Sequence, residues 1–227
     1  MPAPITNPIT TIVFDVGETL VDETRNWGEW ADWMRVPRFT FFAVYGAVIA
    51  RGQHHRRVFQ EISPGFDIEA AEREREAAGW RYAFEPADFY ADALPCLTAL
   101  SAAGFQIGIA GNQPEEAEAS LAALGVTADF IASSTRWGIE KPSPAFFARV
   151  AEAAGRPAEQ IAYVGDRLDN DVNPAKAAGM MAVFIRRGPW AYIDDTAHQA
   201  RGDLTLTTLA DLPAAIADYN ARMTHNG

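Results

Sequence analysis

The chain has 227 residues, 48% of them hydrophobic and 11% aromatic, which excludes a disordered protein and allows a sizeable core. Its 19 basic and 30 acidic residues give a formal net charge of −11, which opposes binding to nucleic acid and to anionic membranes. With no apolar run long enough to span a bilayer and only one cysteine, Cys96, we expect a cytoplasmic protein without disulfides, nucleic-acid partners or membrane partners.

The first predicted element is a short buried strand at residues 12–14, and Asp15 follows it directly. A turn that contains Gly17 comes next. In open α/β sheets, ligands bind at the carboxyl ends of the strands, and a lone carboxylate there acts as a nucleophile, as a metal ligand or as both. Asp15 is therefore the first candidate site residue.

Between residues 22 and 88 the pattern changes, because aromatic side chains recur at helical spacings and no strand pattern appears. We interpret residues 22–88 as an all-helical insertion directly after the first strand. Most of its aromatic side chains are expected to form the packing core of the insertion, and a minority to face a catalytic cleft.

From about Asp92 onward, helical and extended patterns alternate, with glycines at the helix ends. Repeated βα units with short connections predict an α/β fold, in which residues 1–21 and 89–227 form a parallel sheet sandwiched by helices. The predicted helices are residues 94–104, 114–125, 143–155 and 173–179, and the predicted strands are residues 105–111, 129–133, 160–166, 181–185 and a short one within 204–209.

Polar residues follow four of these strands. They are Asp15, Asn112, Lys141, and Asp166 with Asp171. Because parallel strands point their carboxyl ends at one edge of the sheet, these side chains are expected to meet there. Carboxylate oxygens suit Mg²⁺, whereas lysine and backbone N–H groups suit phosphate. The set predicts a magnesium site beside an anion clamp.

In this order of motifs the chain resembles the haloacid dehalogenase superfamily of hydrolases, over nearly its whole length. The resemblance implies a Rossmann-like core with a helical C1-type cap inserted after the first strand. It also implies that Asp15 is a nucleophile that forms an aspartyl-phosphate. Asp15 would bind Mg²⁺ together with the backbone carbonyl of Gly17, and Asp166 and Asp171, in the family pattern GDxxxxD, would complete the metal site.

The same resemblance assigns the phosphate-binding residues. Gly111 and Asn112 stand where the family has Ser or Thr, commonly followed by Asn, and Lys141 stands at the position of the family's lysine. Lys141 is then the partner of Asp15 and of the phosphoryl oxygens. Arg167, beside Asp166, is expected to pair with a nearby carboxylate, although substrate contact is a second interpretation.

Two departures from the family pattern affect the expected rate. Family phosphatases usually carry Asp at the position of Gly17, where it protonates the leaving group and activates water, and general acid–base catalysis is worth roughly 10²–10⁴-fold. Glu18 is adjacent, but a shift of one residue in an extended segment directs its side chain away from Asp15. Water, a cap side chain and the substrate are the other candidates. Gly111 lacks the usual hydroxyl, which removes one hydrogen bond worth roughly 0.5–1.5 kcal/mol.

The expected function is a Mg²⁺-dependent phosphatase for a small phosphorylated metabolite, slowed by Gly17. One alternative is a metal-independent dehalogenase, although the family's dehalogenases place Tyr at the position of Gly17 and lose the acidic pair that Asp166 and Asp171 retain here. The other alternative is a non-catalytic module that binds Mg²⁺ and phosphate. The sequence leaves the substrate and the oligomeric state open.

Overall fold

Six strands form one parallel sheet in the computed structural model, which describes residues 7–80, 83–193 and 202–225. The strands lie side by side in the order β3-β2-β1-β4-β5-β6, so β1 is central. Phe14 at the end of β1 pairs with Ile109 on one side and Val164 on the other. The strands are β1 (Thr11–Phe14), β2 (Gln106–Gly111), β3 (Phe130–Ser133), β4 (Ile161–Gly165), β5 (Met181–Ile185) and β6 (Leu204–Leu206).

The insertion between β1 and β2 forms a compact unit of its own, Glu23–Ala83. Its helices are α1 (Thr24–Trp33), α2 (Arg38–Ala50), α3 (Arg57–Ile62) and α4 (Ile68–Ala77). Aromatic side chains hold the unit together: the ring centroids of Trp27 and Tyr45 lie 4.8 Å apart, and so do those of Trp30 and Phe59. These residues therefore have the packing role expected for most aromatics of the insertion.

Helices cover both faces of the sheet, as predicted. They are α5 (Ala93–Ala102), α6 (Glu116–Ala123), α7 (Ser134–Trp137), α8 (Pro144–Ala154), α9 (Asn173–Ala177), α10 (Gly188–Ile193) and α11 (Leu212–His225). Alternate residues of β1 face opposite sides, so Ile12 packs in one core with Leu97 of α5, while Val13 packs in the other with Phe146 of α8. Among the helices of the described ranges, none is long and apolar enough to cross a membrane.

The second unit comprises Met1–Asp22 and Phe84–Gly227, so residues 84–88 group with the sheet, whereas the sequence pattern assigned them to the insertion. The reason is that Phe84 belongs to the sheet unit, where its side chain packs against the core and its N–H donates to Ser120 Oγ at 2.9 Å. Two short helices, α7 and α10, had no predicted counterpart. Cys96 on α5 is buried in the core.

Candidate active site

Three aspartates meet at the carboxyl edge of the sheet. Asp15 directly follows β1, and its N–H donates to the Val164 carbonyl at 2.9 Å, which fixes it against β4. Asp166 directly follows β4, and Asp171 lies in the π-helical turn Leu168–Val172. All three are buried, and one carboxylate oxygen from each lies within 4.8 Å of the others.

Lys141 joins two of these carboxylates. Its Nζ donates to Asp171 Oδ1 at 2.6 Å and lies 2.7 Å from Asp15 Oδ1, and only 3% of the residue is exposed. The structure therefore brings the predicted cation into the centre of the acidic cluster. Buried charges of this kind are stable only when they lie close to opposite charges, as Lys141 does to Asp15 and Asp171.

Asn112 fixes the position of Lys141. Its carboxamide Nδ2 donates to the Lys141 carbonyl at 2.9 Å, and its Oδ1 accepts from the Lys141 N–H at 2.8 Å. The sequence analysis assigned Asn112 to phosphate. The structure gives its carboxamide a different partner, so binding of phosphate by Asn112 stays a prediction.

The charges of the cluster act on one another. Burial, followed by the carboxylates of Asp171 and Asp15, raises the pKa of Asp166 well above its usual value. Burial also raises the pKa of Asp171 to about 6, against the opposing effect of the Lys141 ammonium group. For Lys141, burial would lower the pKa, but Asp15 and Asp171 together raise it well above its ordinary value.

These residues fit a bound Mg²⁺. Among the described residues, Asp166 Oδ2 is buried and has no hydrogen-bond partner, which costs free energy unless a ligand satisfies it. Three carboxylates in a small buried cluster are a donor set that hard divalent cations prefer. Gly17 lies in the turn after Asp15 and pairs with Val21, and its carbonyl stays a predicted ligand.

Glu18 lies beside the cluster in a strained conformation. Its φ of 52° is in the left-handed region, and only 8% of the residue is exposed. Its Oε2 accepts a hydrogen bond of 2.6 Å from the Tyr90 hydroxyl, so the carboxylate is tied to Tyr90. Burial, followed by Glu18, raises the pKa of Tyr90, which keeps Tyr90 a donor.

The sequence analysis missed Tyr90 and its neighbour Arg187. The Arg187 guanidinium lies 4.3 Å from the Tyr90 ring centroid and donates to the Thr19 carbonyl at 3.2 Å. It thereby packs the turn after β1 against the segment that follows β5. No local pattern signals these contacts, because the partners are 72 and 168 positions apart along the chain.

Arg167 pairs with a nearby carboxylate, as predicted. Its Nε and Nη2 lie 3.1 and 2.7 Å from the two carboxylate oxygens of Asp169, and its guanidinium lies 4.7 Å from the Trp190 ring centroid. The Asp169 side chain is 69% exposed. It therefore stands outside the buried cluster that contains Asp171.

Comparison with known proteins agrees with this arrangement. A sequence model of the family described as haloacid dehalogenase-like hydrolase matches residues 9–179, about three quarters of the chain. The chain belongs to the haloacid dehalogenase-like hydrolases. The matched range contains every site residue named above except Arg187 and Trp190, and it confirms the family that the sequence motifs indicated.

Relatives within this family resemble parts of the chain. The glyceraldehyde 3-phosphate phosphatase of Methanopyrus kandleri is 38% identical over 104 residues, which are 44% of this chain and 45% of that protein. The phosphoglycolate phosphatase of Rhodospirillum rubrum is 37% identical over 114 residues, 47% of this chain and 46% of that protein. The match thus spans about half the length of each of these relatives.

A solved structure covers more of the fold. The β-phosphoglucomutase of Clostridium difficile superposes with a TM-score of 0.66 at 16% identity, over 96% of this chain and 100% of that one. At this level of identity the likeness concerns the fold alone, and it supports the Rossmann-like architecture of the sheet unit.

Proposed function

We propose that the chain is a Mg²⁺-dependent phosphatase that hydrolyses a small phosphorylated metabolite through an aspartyl-phosphate on Asp15. The observation that carries this proposal is the ion pairing of buried Lys141 with Asp15 and Asp171 beside Asp166. A strand-end carboxylate with an adjacent cation suits attack on a dianionic phosphate, because the cation offsets repulsion between the two anions.

In the proposed reaction an Asp15 carboxylate oxygen forms a bond to phosphorus in line with the leaving oxygen, whose bond to phosphorus breaks. Water then cleaves the acyl-phosphate, which releases inorganic phosphate and restores the carboxylate. Lys141 offsets the charge of the phosphoryl oxygens. Asp15, Asp166, Asp171 and the Gly17 carbonyl would hold Mg²⁺, which when bound neutralises phosphoryl charge.

We further propose that turnover is slow. Gly17 offers no side chain to protonate the leaving oxygen, and the carboxylate of the next residue, Glu18, is bound to the Tyr90 hydroxyl. The leaving oxygen then takes its proton from water or from the substrate itself. General acid–base catalysis contributes roughly 10²–10⁴-fold, so we expect kcat to lie below that of family phosphatases with Asp at this position by a factor in that range.

The relatives support a small substrate. Both curated names describe phosphatases of compounds with two or three carbons, glyceraldehyde 3-phosphate and phosphoglycolate. We propose that the inserted helical unit, Glu23–Ala83, is the family's cap and selects the leaving group, and that the protein acts in the cytoplasm.

The test is hydrolysis of 4-nitrophenyl phosphate with Mg²⁺ and with chelator, by the wild type and by Asp15→Asn. Asp169→Asn is the matched control, because Asp169 is an exposed carboxylate close to Asp171 but outside the buried cluster. We expect hydrolysis that needs both Mg²⁺ and Asp15 and that survives Asp169→Asn. Halide release from a 2-haloacid in the presence of chelator would instead identify a dehalogenase. Binding of Mg²⁺ and phosphate without turnover of either substrate would identify a binding module.

A further inference from the structure

Gly111, the last residue of β2, leaves a space that the Asp15 carboxylate fills. A Cβ built on Gly111 falls onto Asp15 Oδ1, far inside van der Waals contact, and lies 3.5 Å from Asp15 Cγ. The φ of Gly111 is outside the left-handed region, so its backbone conformation is open to any residue. Any side chain at this position therefore requires the Asp15 carboxylate to shift.

The atom that fills this space is the one that pairs with the lysine. Asp15 Oδ1 lies 2.7 Å from Lys141 Nζ, and the Asp15 side chain is only 10% exposed, so the carboxylate has little room to move without losing the ion pair. Displacement of Asp15 toward another rotamer would leave Asp171 as the one carboxylate, among the described residues, that pairs with Lys141. The same position of Asp15 Oδ1 thus accounts for both its close approach to Gly111 and its contact with Lys141.

The other carboxylate that binds Lys141 has the same kind of neighbour. A Cβ on Gly165, the last residue of β4, falls onto the Asp171 side chain. β2 and β4 are the two strands that flank β1. Each flanking strand therefore ends in a glycine that makes room for one of the two carboxylates on Lys141.

We infer that Gly111 is a positioning residue for Asp15. Because Gly111 has no side chain, the Asp15 carboxylate fits between β2 and Lys141, and a serine or threonine at this position would displace it. The Cβ that a serine or threonine would add is the atom that meets the Asp15 carboxylate in this chain. This inference rests on the proposed function where it concerns catalysis, but the geometry can be tested without activity.

The first test is a double-mutant cycle on the thermal unfolding midpoint of the metal-free protein, with Gly111→Ala, Asp15→Ala and the pair. We expect Gly111→Ala to lower Tm by about 4–8 °C, since overpacking a close contact strains the core. In the Asp15→Ala background the space is empty, so the same change should lower Tm by less than about 2 °C. Equal losses in both backgrounds would overturn the inference.

Gly108→Ala is the matched control for this cycle. Gly108 lies on the same strand, three residues earlier, and a Cβ there falls onto the Phe130 ring rather than onto a site residue. Its effect on Tm should be the same with and without Asp15. Coupling of Gly108→Ala to Asp15 as strong as that of Gly111→Ala would contradict a specific role for Gly111.

The second test separates kcat from KM for 4-nitrophenyl phosphate. A nucleophile displaced by about 1 Å costs about 10²-fold, so Gly111→Ala and Gly111→Ser should both lower kcat by about that factor and change KM little. Gly108→Ala should keep the wild-type kcat. A kcat of Gly111→Ser at or above that of the wild type would overturn the inference. A wild type without activity would refute the proposed function, while the unfolding cycle would still decide the placement of Asp15.

Discussion

Lys141 is the residue on which the charge balance of the site depends, because Asp15 and Asp171 both pair with its ammonium group. Lys141→Met leaves two buried carboxylates without their cation, and removal of one partner from a buried ion pair costs about 3–5 kcal/mol. We expect a loss of that size in the free energy of unfolding, measured with urea, together with loss of phosphatase activity.

Lys176→Met is the control for this variant. Lys176 pairs with Asp203 at 3.1 Å, but about a third of each side chain is exposed, and exposed pairs contribute less than about 1 kcal/mol. Similar losses for Lys141→Met and Lys176→Met would show that burial of the Lys141 cluster contributes nothing.

Gly17 gives the second prediction at this scale. Gly17→Asp supplies the acid that family phosphatases carry, so kcat for 4-nitrophenyl phosphate should rise by about 10²-fold or more. Gly17→Asn has nearly the same volume and no acid, and it should leave kcat unchanged. An equal increase for both variants would attribute the gain to backbone rigidity rather than to proton transfer.

Most of the site could be predicted from the sequence because parallel strands converge at one edge. Asp15, Lys141, Asp166 and Asp171 each follow a strand or its loop, and the structure brings them together. The environment of Glu18 could not be predicted in this way. It depends on a positive φ that glutamate seldom adopts and on Tyr90, a residue with no periodic relation to the strand ends.

At the scale of elements, Asp92 joins three segments of the sheet unit. It precedes α5 and lies 3.1 and 2.7 Å from Nη1 and Nη2 of Arg187, which follows β5. It also accepts hydrogen bonds from Thr208 Oγ1 at 2.6 Å and from the Leu209 N–H at 2.8 Å, just before α11. One carboxylate therefore ties together three segments that are distant in sequence.

Arg187→Met tests this junction. The Arg187 side chain is 9% exposed and that of Asp92 is 19% exposed, so we expect a loss of about 2–3 kcal/mol in unfolding free energy, below the range for fully buried pairs. The control is Arg186→Met, because Arg186 lies over the exposed ring of Tyr192. It should change stability by less than about 0.5 kcal/mol. Equal losses of stability for Arg187→Met and Arg186→Met would show that the pair of Arg187 with Asp92 does not stabilise the fold.

The junction also predicts a pH dependence. Burial opposes the charge of Asp92, but hydrogen bonds from Arg187, Thr208 and Leu209 leave its pKa below the usual value. A carboxyl group whose pKa is lower in the folded than in the unfolded state stabilises the fold above its unfolded pKa of about 3.9 and loses that contribution as the pH falls below it. The stability difference between wild type and Asp92→Asn should therefore shrink from pH 6 to pH 3 in urea titrations. A stability difference that stays constant from pH 6 to pH 3 would contradict the lowered pKa of Asp92.

At the scale of the whole molecule, the segments of the sheet unit that lead into and out of the insertion lie side by side. Val21 pairs with Phe89 in an antiparallel bridge, and the Asp22 N–H donates to the Asp88 carbonyl at 2.8 Å. An insertion whose ends meet in this way leaves the order of the surrounding sheet unchanged, and chains tolerate insertion at such points.

We therefore expect a chain that lacks Glu23–Ala83, closed by a short Gly/Ser linker, to keep the sheet unit folded. Circular dichroism should retain the α/β signature and a cooperative thermal transition. Mg²⁺ binding by calorimetry should persist, because every predicted metal ligand lies in the sheet unit. A control in which the linker sequence is scrambled should keep the same sheet order. Loss of the thermal transition would show that the sheet unit needs the insertion to fold.

The same scale shows where the sequence was informative. Alternation of helical and extended periods predicted the five strands after the insertion and helices on both faces, since these patterns depend on which residues face the core. Residues 84–88, which the sequence pattern assigned to the insertion, carry no helical period and are held by contacts distant in sequence, such as Phe84 with Ser120. The helices α7 and α10, of four and six residues, are too short to show a period.

The carboxamide of Asn112 behaves toward Lys141 as a further strand would, because it offers one donor and one acceptor to a single peptide unit. Asn112 directly follows β2, so these two hydrogen bonds fix the backbone of Lys141 relative to the end of β2. We therefore expect changes in the sequence of residues 135–140 to leave the ammonium group in place as long as these two hydrogen bonds are kept.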